Sequence, residues 1–153
     1  MEARIDAVRV AGTPDGPVPV VVLAMADEDD VVPIFIGFDE ARSIARGMDA
    51  EDIGRPLTHD LLLDIVEELG GRVTQVTVSD IEDREEGGTY IADLHLDTPR
   101  TTTVVDARPS DSLALAARTN APIEVAESVF ESGREDADRF AELQDIRQME
   151  GFV

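Results

Sequence analysis

The stretch VVDARPSDSLALAAR, residues 104–118, contains the sharpest change of pattern in the chain. Apolar, β-branched residues that predict a strand end at Asp106, and a Leu/Ala-rich segment that predicts a helix follows within a few positions. Proline is favoured at the first position of a helix, and acidic residues are favoured in its first turn, which suits Pro109 and Asp111. The stretch therefore predicts a strand that leads directly into a helix over about residues 110–119.

The rest of the chain divides into further strands and helices by the same criteria. The other predicted strands are residues 2–11, 18–25, 31–37, 72–81 and 89–97, and the other predicted helices begin near Asp39 and Thr58. This order predicts an α+β fold, with a mixed, largely antiparallel sheet and two main helices packed on it. We expect a single domain at residues 1–130, followed by a charged helix or acidic tail at 131–153.

The charge of the chain is extreme for its length. The 153 residues carry a formal net charge of −21, and all 13 basic residues are arginine. Such a chain repels itself at low ionic strength, whereas about 1 M salt reduces the Debye length to about 3 Å. The composition predicts a folded protein of a salt-accumulating cytoplasm, that of a haloarchaeon; a highly acidic mesophilic protein is the alternative. Net charge also disfavours a nucleic-acid partner, because such binding draws on phosphate–cation contacts.

Several classes of protein do not fit the sequence. There is no cysteine, so disulfides and thiol catalysis are excluded. No run of about 20 apolar residues predicts a membrane span, and no signal peptide is visible at the first residues. The chain also has no Gly-rich phosphate loop and no His/Cys metal spacing, so no organic cofactor is predicted. These features favour a cytoplasmic protein without a membrane partner.

The predicted helix at residues 58–69 places a histidine near its start. His59 lies over the apolar side of the helix, whereas acidic residues including Asp60 and Asp64 share a face that we expect to be solvated. His59 has two interpretations. It is either a partly buried side chain bonded to a neighbouring backbone group, or a general acid/base or metal ligand that titrates near neutrality.

The polar residues of the opening stretch also have two interpretations. Helix capping accounts for Asp111, and Arg108 can pair with either Asp106 or Asp111. Alternatively, the carboxylates of Asp106 and Asp111 hold Mg²⁺ or Mn²⁺ through oxygen, while Arg108 binds a phosphate oxygen. A metal placed in this way would support phosphodiester hydrolysis.

Glu40 lies in a comparable position, at the start of the helix that follows the strand at residues 31–37. Its neighbours Ser43 and Gly47 are small and lie on the same helix face, so that face is expected to approach another surface closely. Glu40 is either a surface residue favoured by the helix dipole or a third carboxylate at the metal site.

Three segments together resemble the bifunctional nuclease family, long described as a domain of unknown function. They are VVPIFIGFDEARSIA (31–45), RPLTHDLLLDIVEELGG (55–71) and VVDARPSDSLALAARTNAPIEVAE (104–127), in matching order and spacing. The resemblance covers about residues 4–130. It implies an α+β domain that usually self-associates, and plant members of the family are described as degrading both RNA and DNA.

With this resemblance, the sequence predicts a metal-assisted nuclease that acts on RNA and DNA with little sequence preference. The expected catalytic residues are His59, Arg108 and Asp111, and the expected Mg²⁺ or Mn²⁺ ligands are Glu40, Asp106 and Asp111. The alternative is a non-catalytic, self-associating module that binds a metabolite or regulates a partner. In either case we expect a homodimer or higher homo-oligomer, since the Leu/Ala helix is apolar around nearly its whole circumference.

Overall fold

The computed structural model describes residues 1–52, 54–84 and 87–149. Within these ranges the chain forms eight β-strands, five α-helices and one 3-10 helix. The strands are β1 (Glu2–Thr13), β2 (Gly16–Met25), β3 (Val31–Phe35), β4 (Arg72–Arg84), β5 (Gly87–Asp97), β6 (Thr102–Ala107), β7 (Ile123–Val125) and β8 (Gln144–Asp145). The helices are α1 (Phe38–Met48), α2 (Thr58–Glu68), α3 (Pro109–Thr119), α4 (Glu127–Gly133) and α5 (Asp138–Ala141), and the 3-10 helix is Ile146–Gln148.

The described strands form one mixed sheet in the order β3-β2-β1-β7-β4-β5-β6, and β8 pairs with β1 off this path. All neighbouring strands are antiparallel except β4 and β7, which are parallel. The predicted fold class is therefore confirmed: α+β, with a mostly antiparallel sheet. Part of the turn expected between β4 and β5 lies outside the described residues.

Alternation along the strands distributes the apolar side chains to two faces of the sheet. In β2, Val21 and Leu23 belong to the main core, whereas Val20 and Val22 contact Phe140 in a smaller cluster. Residues 131–149 thus contribute to the packing, because Ile146 is also buried in the main core. The charged helix or tail was expected outside the domain of residues 1–130, and its described residues instead pack against that domain.

Helix α3 is buried by elements of its own chain. It packs against α1, α2 and the sheet, and Leu113 and Ala114 are fully buried. The approach of α1 is close, since a Cβ added at Gly47 would lie 2.9 Å from Ala117 Cβ. The expected close approach at Gly47 is confirmed. Because α1, α2 and the sheet of the same chain cover the Leu/Ala helix, its apolar circumference does not by itself require a second subunit, and the homo-oligomer stays a prediction.

The helix starts differ by one or two residues from the expected positions. The residue before α1 is Gly37 and not Asp39, which lies in the first turn. The residue before α2 is Leu57, whose backbone N–H donates to the Asp60 carboxylate at 3.1 Å. Asn120 ends α3 with a φ of 57°, the left-handed conformation that asparagine tolerates. Among the described residues, no helix has the length and apolar character needed to cross a bilayer.

Candidate functional site

The starts of α1, α2 and α3 meet at a cavity of about 620 Å³, which we call the polar pocket. Each of the three helices begins directly after a turn or strand end that carries polar residues, and the packing of the helices brings these residues together. The pocket is lined by Asp39, Glu40, Arg42, Ser43, Arg46, Leu57, Thr58, His59, Arg108 and Asp111. Four of the residues predicted from sequence, Glu40, His59, Arg108 and Asp111, are thus brought together.

Arg108 bridges two carboxylates at the pocket. Its Nε and Nη2 atoms donate to Asp111 at 2.9 and 3.3 Å, and its Nη1 atom donates to Glu40 at 3.4 Å. Of the two partners expected for Arg108, Asp106 and Asp111, it pairs with Asp111, and Glu40 is a further partner. Its side chain is 66% exposed, so the guanidinium is also accessible to an anion in solvent.

His59 lies between a serine and an aspartate. Its Nδ1 atom is 2.6 Å from Ser43 Oγ, and its Nε2 atom is 2.9 Å from Asp111 Oδ1. A carboxylate only accepts hydrogen bonds, so Nε2 carries the hydrogen that is donated to Asp111. In the neutral ring Nδ1 is then an acceptor, and the Ser43 hydroxyl donates to it. Ser43, His59 and Asp111 therefore form a continuous hydrogen-bonded chain across three helices.

Arg118, in the last turn of α3, donates hydrogen bonds to Ser43, the first residue of this hydrogen-bonded chain. Its Nη2 atom donates to Ser43 Oγ at 3.2 Å, and its Nη1 atom donates to the carbonyl oxygens of Ser43 and Ala114 at 2.9 Å. Its Nε atom donates to the Asp60 carboxylate at 2.6 Å. Asp60 was expected to be solvated, and it instead forms an ion pair with an arginine side chain that is 9% exposed.

The hydrogen bonds keep the acidic groups ionised. Burial raises the pKa of the Asp111 carboxyl, but the hydrogen bonds from Arg108 and His59 outweigh it and hold that pKa below its ordinary value of 3.8. Burial also raises the pKa of Asp60, and the opposing hydrogen bonds from Arg118 and the Leu57 backbone again lower it overall. The hydrogen bond to Asp111 raises the pKa of Arg108. The site therefore carries fixed, paired charges near neutral pH.

The charges lining the polar pocket balance. Three arginines and three carboxylates line it, in a chain whose formal net charge is −21. Arg42 is held by Asp39, at 3.6 Å, and by the Phe38 ring, whose centroid is 5.5 Å away. A phosphate would thus meet less repulsion here than over the acidic surface in general.

Asp106 is outside the polar pocket, although it lines an adjoining cavity of about 630 Å³ together with His59, Arg108 and Asp111. It pairs directly with Asp93 across β5 and β6, whereas Val105 pairs with Leu94, a residue of the main core. Because successive strand residues point to opposite faces, Asp106 points away from the face on which the helices pack.

The fit of a metal ion follows from these positions. In the ranges that the structure describes, no three His, Asp or Glu side chains form a group that could hold a metal ion. Glu40 and Asp111 share the guanidinium of Arg108, which lies where a cation common to both carboxylates would lie. The three-carboxylate arrangement expected for Mg²⁺ or Mn²⁺ is not assembled, and we derive no chemical step through a metal.

Two polar residues of the site, Ser43 and Arg118, were missed as candidates. The sequence pattern draws attention only to the small size of Ser43, and Arg118 ends a segment whose pattern is mainly apolar. Their helix spacing held a signal, since Ser43 is three residues from Glu40 and Arg118 is seven residues from Asp111. Each pair shares a helix face, and the two faces pack against each other.

Comparison with known proteins agrees with this arrangement. A family model described as the bifunctional nuclease domain matches residues 21–138, which include every residue of the polar pocket. The uncharacterized proteins MT1877 and Rv1829, from two strains of Mycobacterium tuberculosis, are each 39% identical over 129 residues. The match covers 84% of this chain and 73% of each relative. The chain therefore belongs to the bifunctional nuclease domain family.

Proposed function

We propose that the chain hydrolyses phosphodiester bonds of RNA and DNA at the polar pocket, with little sequence preference. The observation that carries this proposal is the hydrogen-bonded chain from Ser43 through His59 to Asp111, in a pocket lined by three arginines. Membership of the bifunctional nuclease domain family supports it. Phosphoryl transfer is favoured by cationic side chains beside the phosphate oxygens and by a group that exchanges protons. The pocket offers arginine side chains, which are matched by an equal number of carboxylates, and His59.

His59 is the proton-exchanging group in this proposal. Imidazole is the side chain best suited to gain and lose a proton near neutral pH. Asp111 holds the ring in one tautomer and stabilises the imidazolium that forms when His59 takes up a proton. Arg108 holds Asp111 in turn, and its exposed position lets it contact a phosphate oxygen as well.

Purified protein in molar KCl, incubated with end-labelled single-stranded RNA and DNA, tests this proposal. Parallel reactions contain Mg²⁺, Mn²⁺ or a chelator, because dependence on Mg²⁺ or Mn²⁺ stays a prediction. His59→Gln and Arg108→Ala should abolish most of the cleavage. His95→Gln and Arg72→Ala, which change the same residue types elsewhere, should cleave like wild type. Equal cleavage by all the proteins would indicate a contaminating nuclease and would contradict the proposal.

As a second function we propose self-association, which the surface around α2 and β6 favours. This surface is apolar and exposed: Leu69 is 76% exposed and Val105, on the sheet face of the core residue Leu94, is 44% exposed. The remaining large apolar residues of the surface are Leu57, Leu61, Leu62 and Ile65. Val104, which is 54% exposed, lies on the opposite face of the same edge strand. Strand β6 is an edge of the sheet, so its outer backbone groups are available to a second copy. Pairing of two β6 strands would bury the apolar residues beside them.

The mass of the protein in solution, measured by light scattering in molar KCl, tests self-association. We expect a dimer, and Ile65→Glu and Val105→Glu should each shift it towards monomer. Phe35→Glu puts the same charge on an exposed apolar residue of the opposite edge strand, β3, and should leave the dimer intact. A monomeric wild type would contradict this second proposal and leave the first unaffected.

A further inference from the structure

We propose that Ser43 is a nucleophile of this site and that phosphodiester hydrolysis passes through a covalent Ser43 intermediate. The inference rests on the proposed function for its substrate class. It starts from the surroundings of the His59 ring. Both ring nitrogens bond to protein groups, Nδ1 to Ser43 and Nε2 to Asp111, and the residue is 9% exposed. While Ser43 is unmodified, the group from which His59 can take a proton directly is the Ser43 hydroxyl.

The environment of Ser43 favours an activated hydroxyl. Its Oγ atom donates to His59 Nδ1 and accepts from Arg118 Nη2, 3.2 Å away. A guanidinium beside the oxygen stabilises the negative charge that develops when the proton leaves. Arg118 is fixed there by Asp60 and by two backbone carbonyls, so its charge needs no reorganisation during the reaction.

The arrangement has the roles of a serine, histidine and aspartate triad, with the imidazole turned round. Here Nδ1 faces the serine and Nε2 faces the carboxylate. Either ring nitrogen can accept a proton, so Nδ1 can act as the base for Ser43 in this orientation. Ser43, His59 and Asp111 come from α1, α2 and α3, and recognising the triad from sequence alone would have required the packing of these helices.

The reaction divides into two displacements. In the first, Ser43 Oγ attacks phosphorus, its proton passes to His59 Nδ1, and the Oγ–P bond forms as the bond to the leaving oxygen breaks. The leaving oxygen takes the proton from Nδ1. In the second, water gives a proton to Nδ1 and attacks phosphorus, the Oγ–P bond breaks, and Ser43 regains its proton. The sum is hydrolysis of one phosphodiester bond, with the arginines of the pocket near the negative charge on the phosphoryl oxygens.

Ser43 borders the polar pocket beside arginine side chains. Ser43 lines the polar pocket although it is 8% exposed, so its side chain lies at the wall of the cavity rather than at the surface. Arg42 and Arg46 lie one residue before and three residues after it on α1 and line the same pocket. A phosphate in contact with Ser43 would therefore lie among arginine side chains.

A fluorophosphonate tests the nucleophile without depending on nuclease activity, because serine attack releases fluoride and leaves a stable adduct. Mass spectrometry of wild type should find the adduct on Ser43, and His59→Gln should label at least about 100-fold more slowly. Ser112→Ala removes the hydroxyl of a different, fully buried serine in α3, and this variant should label like wild type. Absence of an adduct on Ser43, or equal labelling of His59→Gln, would overturn the inference.

The stereochemical course of cleavage separates this inference from the proposed function. A chiral phosphorothioate diester cleaved in ¹⁸O-water should retain configuration at phosphorus, because two in-line displacements each invert it. Cleavage with inversion would overturn the Ser43 nucleophile and leave the nuclease proposal intact. Labelling of Ser43 in a protein that cleaves neither RNA nor DNA would support the nucleophile and overturn the nuclease proposal. Ser43→Cys, which retains a nucleophilic atom, should react with iodoacetamide faster than the double variant Ser43→Cys with His59→Gln, and an equal rate would count against activation by His59.

Discussion

His59 Nε2 donates to Asp111 Oδ1 at 2.9 Å, and the same carboxylate accepts two hydrogen bonds from Arg108. One aspartate at the start of α3 is therefore bonded to α2 and, through Arg108 and Glu40, to α1. The three helix starts are held at one point by charged hydrogen bonds. Such bonds are about twice as strong as neutral ones and fix the directions of their partners.

Because of Asp111, the stability of the fold should decrease as the pH falls through the acidic range. Its pKa is lowered in the folded state, so folding is favoured above the unfolded value of 3.8, and this contribution is lost as pH falls through the lower folded pKa. We expect wild type to lose more stability than Asp111→Asn on going from pH 5 to pH 3. Chemical denaturation at the two pH values measures the difference. An equal loss in both proteins would contradict this assignment.

Arg118 and Arg108 should differ strongly in their effect on stability. Arg118→Lys replaces a buried guanidinium and leaves two backbone carbonyls and the partly exposed Asp60 with poorer partners, and we expect a loss of about 1–3 kcal/mol in the free energy of unfolding. Arg108→Lys changes an exposed ion pair and should cost less than about 1 kcal/mol. Urea denaturation of the two variants compares them directly. A larger loss for Arg108→Lys would reverse the roles that we assign.

Gly47 is an exception to the usual helix preference. Alanine normally stabilises a helix interior by about 0.5–1 kcal/mol relative to glycine. Here an added Cβ would lie 2.9 Å from Ala117 Cβ and 3.0 Å from Arg118 Nη1, so Gly47→Ala should destabilise the protein by about 1–3 kcal/mol. Ala117→Gly in the same chain should recover part of the loss. Stabilisation by Gly47→Ala alone, measured from the melting temperature, would contradict the close packing of α1 on α3.

High salt should stabilise the protein. The net charge of −21 includes like charges placed directly opposite each other, such as Asp93 and Asp106 on neighbouring strands. Screening reduces this repulsion, so the melting temperature should rise by several degrees between 0.1 and 2 M KCl. NaCl of equal ionic strength should act similarly. A melting temperature that falls or stays constant over this range would contradict the prediction of a protein suited to a salt-accumulating cytoplasm.

Local patterns were sufficient to predict most of the fold. A proline followed closely by an aspartate favours the first turn of a helix, as at Pro109 and Asp111, and runs of β-branched residues favour strands such as β2. Both elements could therefore be predicted from sequence. The position of β7 was less accessible, because its three residues pair with β1 and β4 from distant parts of the chain. A strand of that length has too few residues to show a period.

The site was predicted only in part, because its chemistry depends on which faces meet. Asp106 and Asp111 are close in sequence, yet strand alternation turns the first away while the helix turns the second towards His59. Ser43 and Arg118 are 75 residues apart and meet only through the packing of α1 on α3. No spacing within one segment indicates a contact of this kind.

The most direct test of the central claim, that His59 exchanges the proton in phosphodiester cleavage, is the single-turnover rate of RNA cleavage in molar KCl. His59→Gln should cleave at least about 100-fold more slowly than wild type, and His95→Gln should match wild type within about twofold. Both variants should retain the folded far-ultraviolet circular dichroism spectrum. Cleavage by folded His59→Gln at the wild-type rate would contradict the claim.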